Sequence, residues 1–306
     1  VKSQELCNYL ERLRSARNMS QETFTTGVVS LRQYRRYLNG ESDIPFQVVD
    51  QLSEKLGVQT INLLREIEVA RLEEQKEIDE FYNNVANYNF DAVKEKIAYL
   101  ESKEFVDVSN KMLFDHALCM YKLFTNQINR DTAASFNKNL INMNNIHKQS
   151  IFTEVEMLVL SSILDFSDDV KETSFISEKL KSYLLDTSAI IGSNYSMGFN
   201  LVLYRLSKYS GKNKNYNDEI MYCDLGIKRN MKLSNMYLLE YFYYFKALAY
   251  FRMDNYELYE QSLVRCFNAL ELENFDKKIK KFTDLINEDF NIDFKQFIID
   301  YYEKNQ

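Results

Sequence analysis

Arg32, Gln33, Arg35 and Arg36 stand together in the stretch Ser20 to Gly40. A guanidinium group meets phosphate charge, and it can also bond a guanine edge through two donors at once, so a helical face carrying these residues fits a surface that reads duplex DNA. The same residues also suit a solvated basic face, and composition alone leaves both readings open.

Other chemistry finds few residues to carry it. His116 and His147 are the two histidines, and neither has Cys or carboxylate neighbours at the spacing of a metal site or an activated nucleophile. The sequence has no Gly-rich phosphate loop and no Gly-x-Ser-x-Gly elbow. No catalytic residue, metal ligand or cofactor is expected. Cys7, Cys119, Cys223 and Cys266 lie far apart in apolar helical patterns, which predicts buried thiols and suits a reducing cytoplasm.

The elements around the arginines are readable from their caps. Ser20 can start a short helix, Thr25, Thr26 and Gly27 break it, and Ser30 can start another. In that second helix Leu31, Tyr34 and Leu38 fall on one inward face, which leaves the arginines outside. Leu6, Leu10 and Leu13 predict an amphipathic helix before this pair. Ile44, Val48, Val49, Leu52 and Leu56 predict one after it, closed by Gly57.

From LRSARNMSQ through YLNGESDIPFQVVDQLSEKLGV, this order of motifs resembles the Cro/C1-type (XRE) helix-turn-helix, and within it the Rgg group of regulators. The spacing from Ser20 to Ser30 and the run Asn39 to Ile44 carry the likeness. It implies a DNA-binding domain over residues 1–65, with Gln21, Ser30, Arg32, Gln33, Arg35, Arg36 and Asn39 as candidate contacts to an operator. Two positions depart from the pattern. An acidic residue usually precedes the Asn-Gly pair and faces the arginine of the first helix; here Leu38 stands there, so Arg14 either reaches phosphate or pairs with Glu11. Val28 replaces a Gly common in the wider group.

Length and composition set the rest. At 306 residues and 45% hydrophobic content the chain can fill a substantial core, and with one Pro and 7 Gly it is too poor in turn formers for a sheet-rich fold. An all-α chain of two units is expected. Residues 1–40 carry seven cations (Lys2, Arg12, Arg14, Arg17, Arg32, Arg35, Arg36) against three anions (Glu5, Glu11, Glu22), in a chain of net charge -7. One nucleic-acid face on a body that repels DNA explains such a division. There is no apolar run long enough for a membrane span and no leader pattern, so neither export nor a membrane partner is expected.

Residues 61–81 lack Pro and Gly and predict a continuous or nearly continuous helix, with 66–80 as a stiff linker. Beyond it, helical patterns alternate with polar breaks near 87–89, 126–131, 165–169, 211–217 and 253–255. The stretch 246–270 resembles a tetratricopeptide repeat, with Ala247 as the small residue between helices and Tyr250 and Tyr256 as packing aromatics. Residues 81–306 are accordingly read as degenerate tetratricopeptide-like repeats, about five of them counted from residue 72, forming a right-handed solenoid whose concave face suits an extended ligand.

The 22 Tyr and 21 Phe are first of all a packing resource. Tyr237, Tyr241, Tyr244 and Leu248 form one stripe, and Asn200, Tyr204 and Lys208 another. Asn200, Tyr204 and Tyr241 are the candidate ligand contacts, because an extended peptide exposes amides that side-chain amides and hydroxyls can pair. On whole-chain charge, a peptide with a basic residue is the expected one. At the end of the chain, Phe294, Phe297, Ile298 and Tyr301 form a stripe that a second copy could cover.

An Rgg-like head on such a body resembles the peptide-pheromone receptors that include Rgg, PlcR and PrgX. The resemblance implies a cytoplasmic homodimer that binds an inverted-repeat operator and a short signalling peptide in quorum sensing. Two alternatives remain at this stage: repeats that grip a protein partner, and a Rap-like response-regulator phosphatase.

Overall fold

The computed structural model describes residues 3–105, 107–146, 148, 149, 151–185 and 198–304. His147 lies outside the described residues. All regular structure among them is helical: α1 (Ser3–Ala16), α2 (Gln21–Thr25), α3 (Leu31–Leu38), α4 (Phe46–Lys55), α5 (Thr60–Ile67), α6 (Val69–Ala86), α7 (Phe90–Ser102), α8 (Val108–Phe124), α9 (Arg130–Leu140), α10 (Met143–Ile146), α11 (Glu154–Phe166), α12 (Val170–Leu185), α13 (Gly198–Lys212), α14 (Tyr216–Leu233), α15 (Leu239–Arg252), α16 (Tyr256–Glu273), α17 (Asp276–Phe290) and α18 (Phe294–Lys304). They divide into two compact units, Val1–Ala117 and Leu118–Gln306, and the division falls inside α8.

In the first unit α1 to α5 enclose one apolar core, and α2 and α3 are its helix-turn-helix. The Ser20 hydroxyl accepts the Thr23 N–H and the Ser30 hydroxyl accepts the Gln33 N–H, so both expected caps form. Gly27 takes a φ of +77° in the turn between them, a value that carries no penalty for glycine. Tyr34 is fully buried, while Leu31 and Leu38 are only half-buried. Tyr37, unmarked by the sequence pattern, is buried with Tyr34 and completes the inner face of α3. The stretch 60–86 is nearly one helix, interrupted at Glu68 between α5 and α6.

In the second unit α11 to α18 are tetratricopeptide-like hairpins. The expected breaks at 165–169, 211–217 and 253–255 separate α11 from α12, α13 from α14, and α15 from α16. Asn215 and Asn255 open α14 and α16 in the same manner, each side chain accepting an N–H three residues on. Counted over α6 to α18, the described helices make six pairs, with the four-residue α10 between the second and third.

Close packing rests on small residues at two places. A Cβ on Gly226 would sit 2.3 Å from the Phe242 ring, so α14 and α15 meet with no room for any side chain at 226. A Cβ on Gly211 would sit 2.5 Å from Oε1 of Glu219, a carboxylate that is itself only 1% exposed. Ala247 is fully buried, in keeping with its expected role between helices. Tyr256 packs only in part: it is the first residue of α16, 55% exposed, and meets Phe251 edge to face at 6.2 Å, while Tyr259 one turn later fills the space between Phe251, Phe290 and Phe297. The four cysteines are free and buried.

Candidate functional site

The first candidate surface is α3 and what holds it. At its centre is the Glu11 carboxylate of α1. It accepts from Arg14 through Nε at 2.9 Å and Nη2 at 2.7 Å, from Gln21 Nε2 at 2.9 Å and from the Tyr34 hydroxyl at 2.8 Å. These donors, Arg14 first, outweigh partial burial and hold its pKa down at about 2. Burial and the same carboxylate push the Tyr34 phenol well above its ordinary range. Arg14 therefore pairs with Glu11, and its Nη1 also donates to the Met19 carbonyl. The acid usually found ahead of the Asn-Gly pair is not needed, because an acid on the first helix takes its place.

The candidate DNA contacts differ in how tightly they are held. Arg32 is exposed and makes no hydrogen bond or ion pair among the described residues. Arg35 is exposed, and its Nε donates to Gln21 Oε1 at 3.2 Å, so Gln21 links it to Glu11. Arg36 donates to Gln33 Oε1 at 3.3 Å and lies 3.5 Å from Glu41. Gln33 in turn donates to the Ser42 hydroxyl at 3.0 Å, and Asn39 donates to Glu41 at 3.1 Å. Ser30 is occupied as the cap. The pairings of Arg35, Arg36 and Asn39 are exposed and of small worth, so a phosphate or base edge can displace them, while the Gln33–Ser42 bond is half-buried. The surface thus offers one free guanidinium and two loosely tethered ones. The part of Glu11 as a shared acceptor was missed; its i, i+3 spacing to Arg14 was the only local signal.

The second candidate surface is where α13, α15 and α17 lie side by side. Tyr204 and Tyr241 meet edge to face with ring centres 5.0 Å apart, and Phe245 closes on Tyr204 at 5.5 Å. Tyr241 also packs on Phe282 at 4.7 Å, and Lys281 Nζ donates to its hydroxyl at 2.7 Å. Both tyrosines are half-buried. Asn200, one turn before Tyr204, is only 1% exposed. Its amide donates to Asn230 Oδ1 and to the Tyr237 carbonyl at 3.4 Å, and Asn230 donates to the same carbonyl at 3.0 Å. The Asn200 Oδ1 is buried with no hydrogen-bond partner. The sequence brought Tyr204 and Tyr241 to one place but gave no sign of Asn230, thirty positions from Asn200. Tyr237 lies ahead of α15 and not on its stripe, Tyr244 and Leu248 are buried, and Lys208 is paired with Asp165 at 2.8 Å.

The carboxy-terminal stripe is used within the chain. Phe294 and Ile298 are 2% and 5% exposed, with Phe294 against Phe267 and Phe297 against Tyr259. This corrects the expectation of an open stripe, because α18 turns those residues onto α16 and itself caps the repeats. Ile299 and Tyr302 are the large apolar side chains it leaves exposed. No helix among the described residues is long and apolar enough to cross a membrane.

No protein-family model matches the chain, and no curated protein matches it. Solved structures do. The chain is similar to PlcR of Bacillus thuringiensis, solved in complex with the peptide PapR7 and DNA, at 13% identity over 92% of this chain and 99% of that one, with a TM-score of 0.63. It is similar to ComR from S. thermophilus, solved with DNA and its signalling peptide ComS, at 13% identity over 93% and 99%, with a TM-score of 0.61. To PrgX in its complex with cCF10 the values are 16%, 94% and 99%, with a TM-score of 0.51. At such identities the agreement is one of fold, and it runs through helix-turn-helix and repeats alike.

Proposed function

We propose that this chain is a sequence-specific DNA-binding transcription regulator controlled by a short signalling peptide, a cytoplasmic receptor of the kind that PlcR and PrgX represent. Residues 1–65 read DNA, 66–80 join, and 81–306 bind peptide and hold a homodimer. The reading assigns no catalytic role to any residue. The observation that carries it is the outer face of α3, where Arg32, without a partner among the described residues, stands beside Arg35 and Arg36 on a helix anchored through Tyr34. In a major groove, Arg32 and Arg36 reach base edges and Arg35 contacts phosphate, with Gln21, Ser30, Gln33 and Asn39 around them. A symmetric dimer then reads an inverted repeat.

The peptide lies along Asn200, Tyr204 and Tyr241. The rings offer apolar and hydroxyl contacts, and the unpartnered Asn200 Oδ1 is an acceptor for a peptide N–H once the amide turns from Asn230. Control is a shift of population, in which peptide binds one arrangement of the dimer more tightly than another.

Selection of randomised duplexes with the full chain tests the reading. Enrichment of one inverted repeat, with affinity or promoter output altered by a peptide, supports it. Recovery of no preferred sequence would remove the DNA-reading function, and capture of a folded protein in place of a peptide would favour a protein-binding regulator.

A further inference from the structure

Several lysines of the repeats are neutralised at short range: Lys181 by Asp218, Lys208 by Asp165, Lys246 by Asp224, and Lys278 by Glu240 and Glu273. On either side of Lys278 the pattern breaks. Lys277, Lys280 and Lys281 are exposed and have no carboxylate partner among the described residues. All three line a shallow concavity of about 430 Å³ on α17, with Asp284, Leu285 and Glu288 along the following turns. Lysines occupy one end, and the other holds two acids with no cation partner among the described residues.

This concavity joins the aromatic row. Lys281 donates to the Tyr241 hydroxyl and sits 5.4 Å from the centre of its ring, and Tyr241 is the ring that meets Tyr204. From α13 across α15 to α17, the face therefore passes from tyrosine rings to ammonium groups that no carboxylate neutralises among the described residues. Three neighbouring helices at spacings of roughly 8–10 Å span about 20 Å, which about six residues of extended chain cover.

The whole chain is acidic, but whole-chain charge is a poor guide here. Screening at physiological salt reaches only about 8 Å, so a ligand group on this face responds to the ammonium groups beside it and not to distant carboxylates. The acids at the far end also discriminate. A polyanion such as a DNA backbone lying along the concavity meets both Asp284 and Glu288, whereas one carboxylate set between Lys277 and Lys281 meets three ammonium groups and has only Asp284, one turn beyond Lys280 and Lys281, as a neighbouring acid.

We infer that the lysine end of this face receives a single carboxylate of the bound peptide, either its C-terminal carboxylate or an Asp or Glu side chain, while its apolar residues lie on Tyr204 and Tyr241. The inference rests on the peptide reading above and reverses the expectation of a basic peptide.

The test incubates the full chain with two pools of randomised heptapeptides, one ending in free carboxylates and one in amides, and identifies retained peptides by mass spectrometry. The expected result is a preference for carboxylate. Better retention of the free-acid pool names the terminus, and enrichment of Asp or Glu in both pools names a side chain. Lys277→Gln, Lys280→Gln or Lys281→Gln alone should weaken a retained peptide about threefold, and the triple variant roughly tenfold or more. Selection for apolar residues and the thermal melt should stay as in the parent. Equal retention of both pools without acidic enrichment overturns the inference, as does a preference that survives the triple substitution. Loss of duplex affinity in the triple variant with peptide selection intact would give the lysines to DNA phosphate and also overturn it. If neither pool is retained, the peptide reading falls and the inference with it.

Discussion

The Tyr34 hydroxyl of α3 donates to the Glu11 carboxylate of α1 at 2.8 Å, so the helix that presents the arginines is tied to the first helix by the acid that pairs Arg14. Gln21 brings α2 to the same carboxylate. Three helices thus share one acceptor, and the pitch of the α3 face depends on its charge.

Glu11→Gln should destabilise the first unit by about 1–3 kcal/mol, the worth of charge-assisted hydrogen bonds left incomplete. The pH dependence has a definite sign. The folded pKa is lowered from 4.5 to about 2, so the unfolded chain takes up the proton first. The stabilisation is complete above about 4.5 and is lost as pH falls toward 2. Urea midpoints across that window should fall steeply for the parent and more gently for the variant; parallel curves would rule out this role.

On DNA, Arg32→Ala and Arg36→Ala should each cost roughly 1–3 kcal/mol on the preferred operator and narrow the gap to random duplex. Arg35→Ala should weaken both by similar factors. Fluorescence anisotropy at fixed salt on the two duplexes separates these outcomes, and an equal loss on both for all three variants would contradict the assignment.

What could be read ahead of the structure was local. Ser20 and Ser30 cap as their sequence context demands, and the asparagine-rich breaks end helices because Asn tolerates the caps and left-handed positions found there, as at Asn126 and Asn274. Contacts between distant positions were not legible. Nothing in the helical period joins Asn200 to Asn230, and a lysine run reads as solvated surface until Tyr241 is seen beside Lys281. Tyr256 carries less of the packing than its repeat position suggests, because as the first residue of α16 it is 55% exposed and keeps only an edge contact with Phe251, while Tyr259 takes the inward position.

Burial lifts the Glu219 pKa from 4.5 to about 8, with Arg252 pulling it only partly back. The folded chain then keeps a proton that the unfolded chain releases above about 4.5. Stability contributed at this site is full below that value and declines as pH rises toward 8. Glu219→Gln, close in shape and uncharged, should abolish the decline and raise stability at pH 8 by about 1–3 kcal/mol. Thermal melts at pH 5 and pH 8 would show it; an identical pH response in parent and variant would place the proton elsewhere.

Asn200→Ala should weaken a bound peptide by about 1–3 kcal/mol and cost stability as well, since Asn230 Oδ1 loses a buried donor. Tyr241→Phe removes only the hydroxyl that Lys281 reaches and should spare the fold. Calorimetry with a retained peptide, together with duplex binding in its absence, distinguishes ligand contact from structural support: reduced peptide affinity at unchanged DNA affinity is the expected pair of results. Unchanged peptide affinity in both variants would take these residues out of the site.

The contact between Gly226 and Phe242 limits how this part of the repeats can diverge. Either change alone carries a cost: a Cβ at 226 against the ring overpacks the contact by roughly 1–3 kcal/mol, and a much smaller residue at the buried position 242 with glycine kept at 226 leaves a cavity worth roughly 3–5 kcal/mol. The two positions are therefore tied to each other, and bulk at 226 requires a reduced residue at 242.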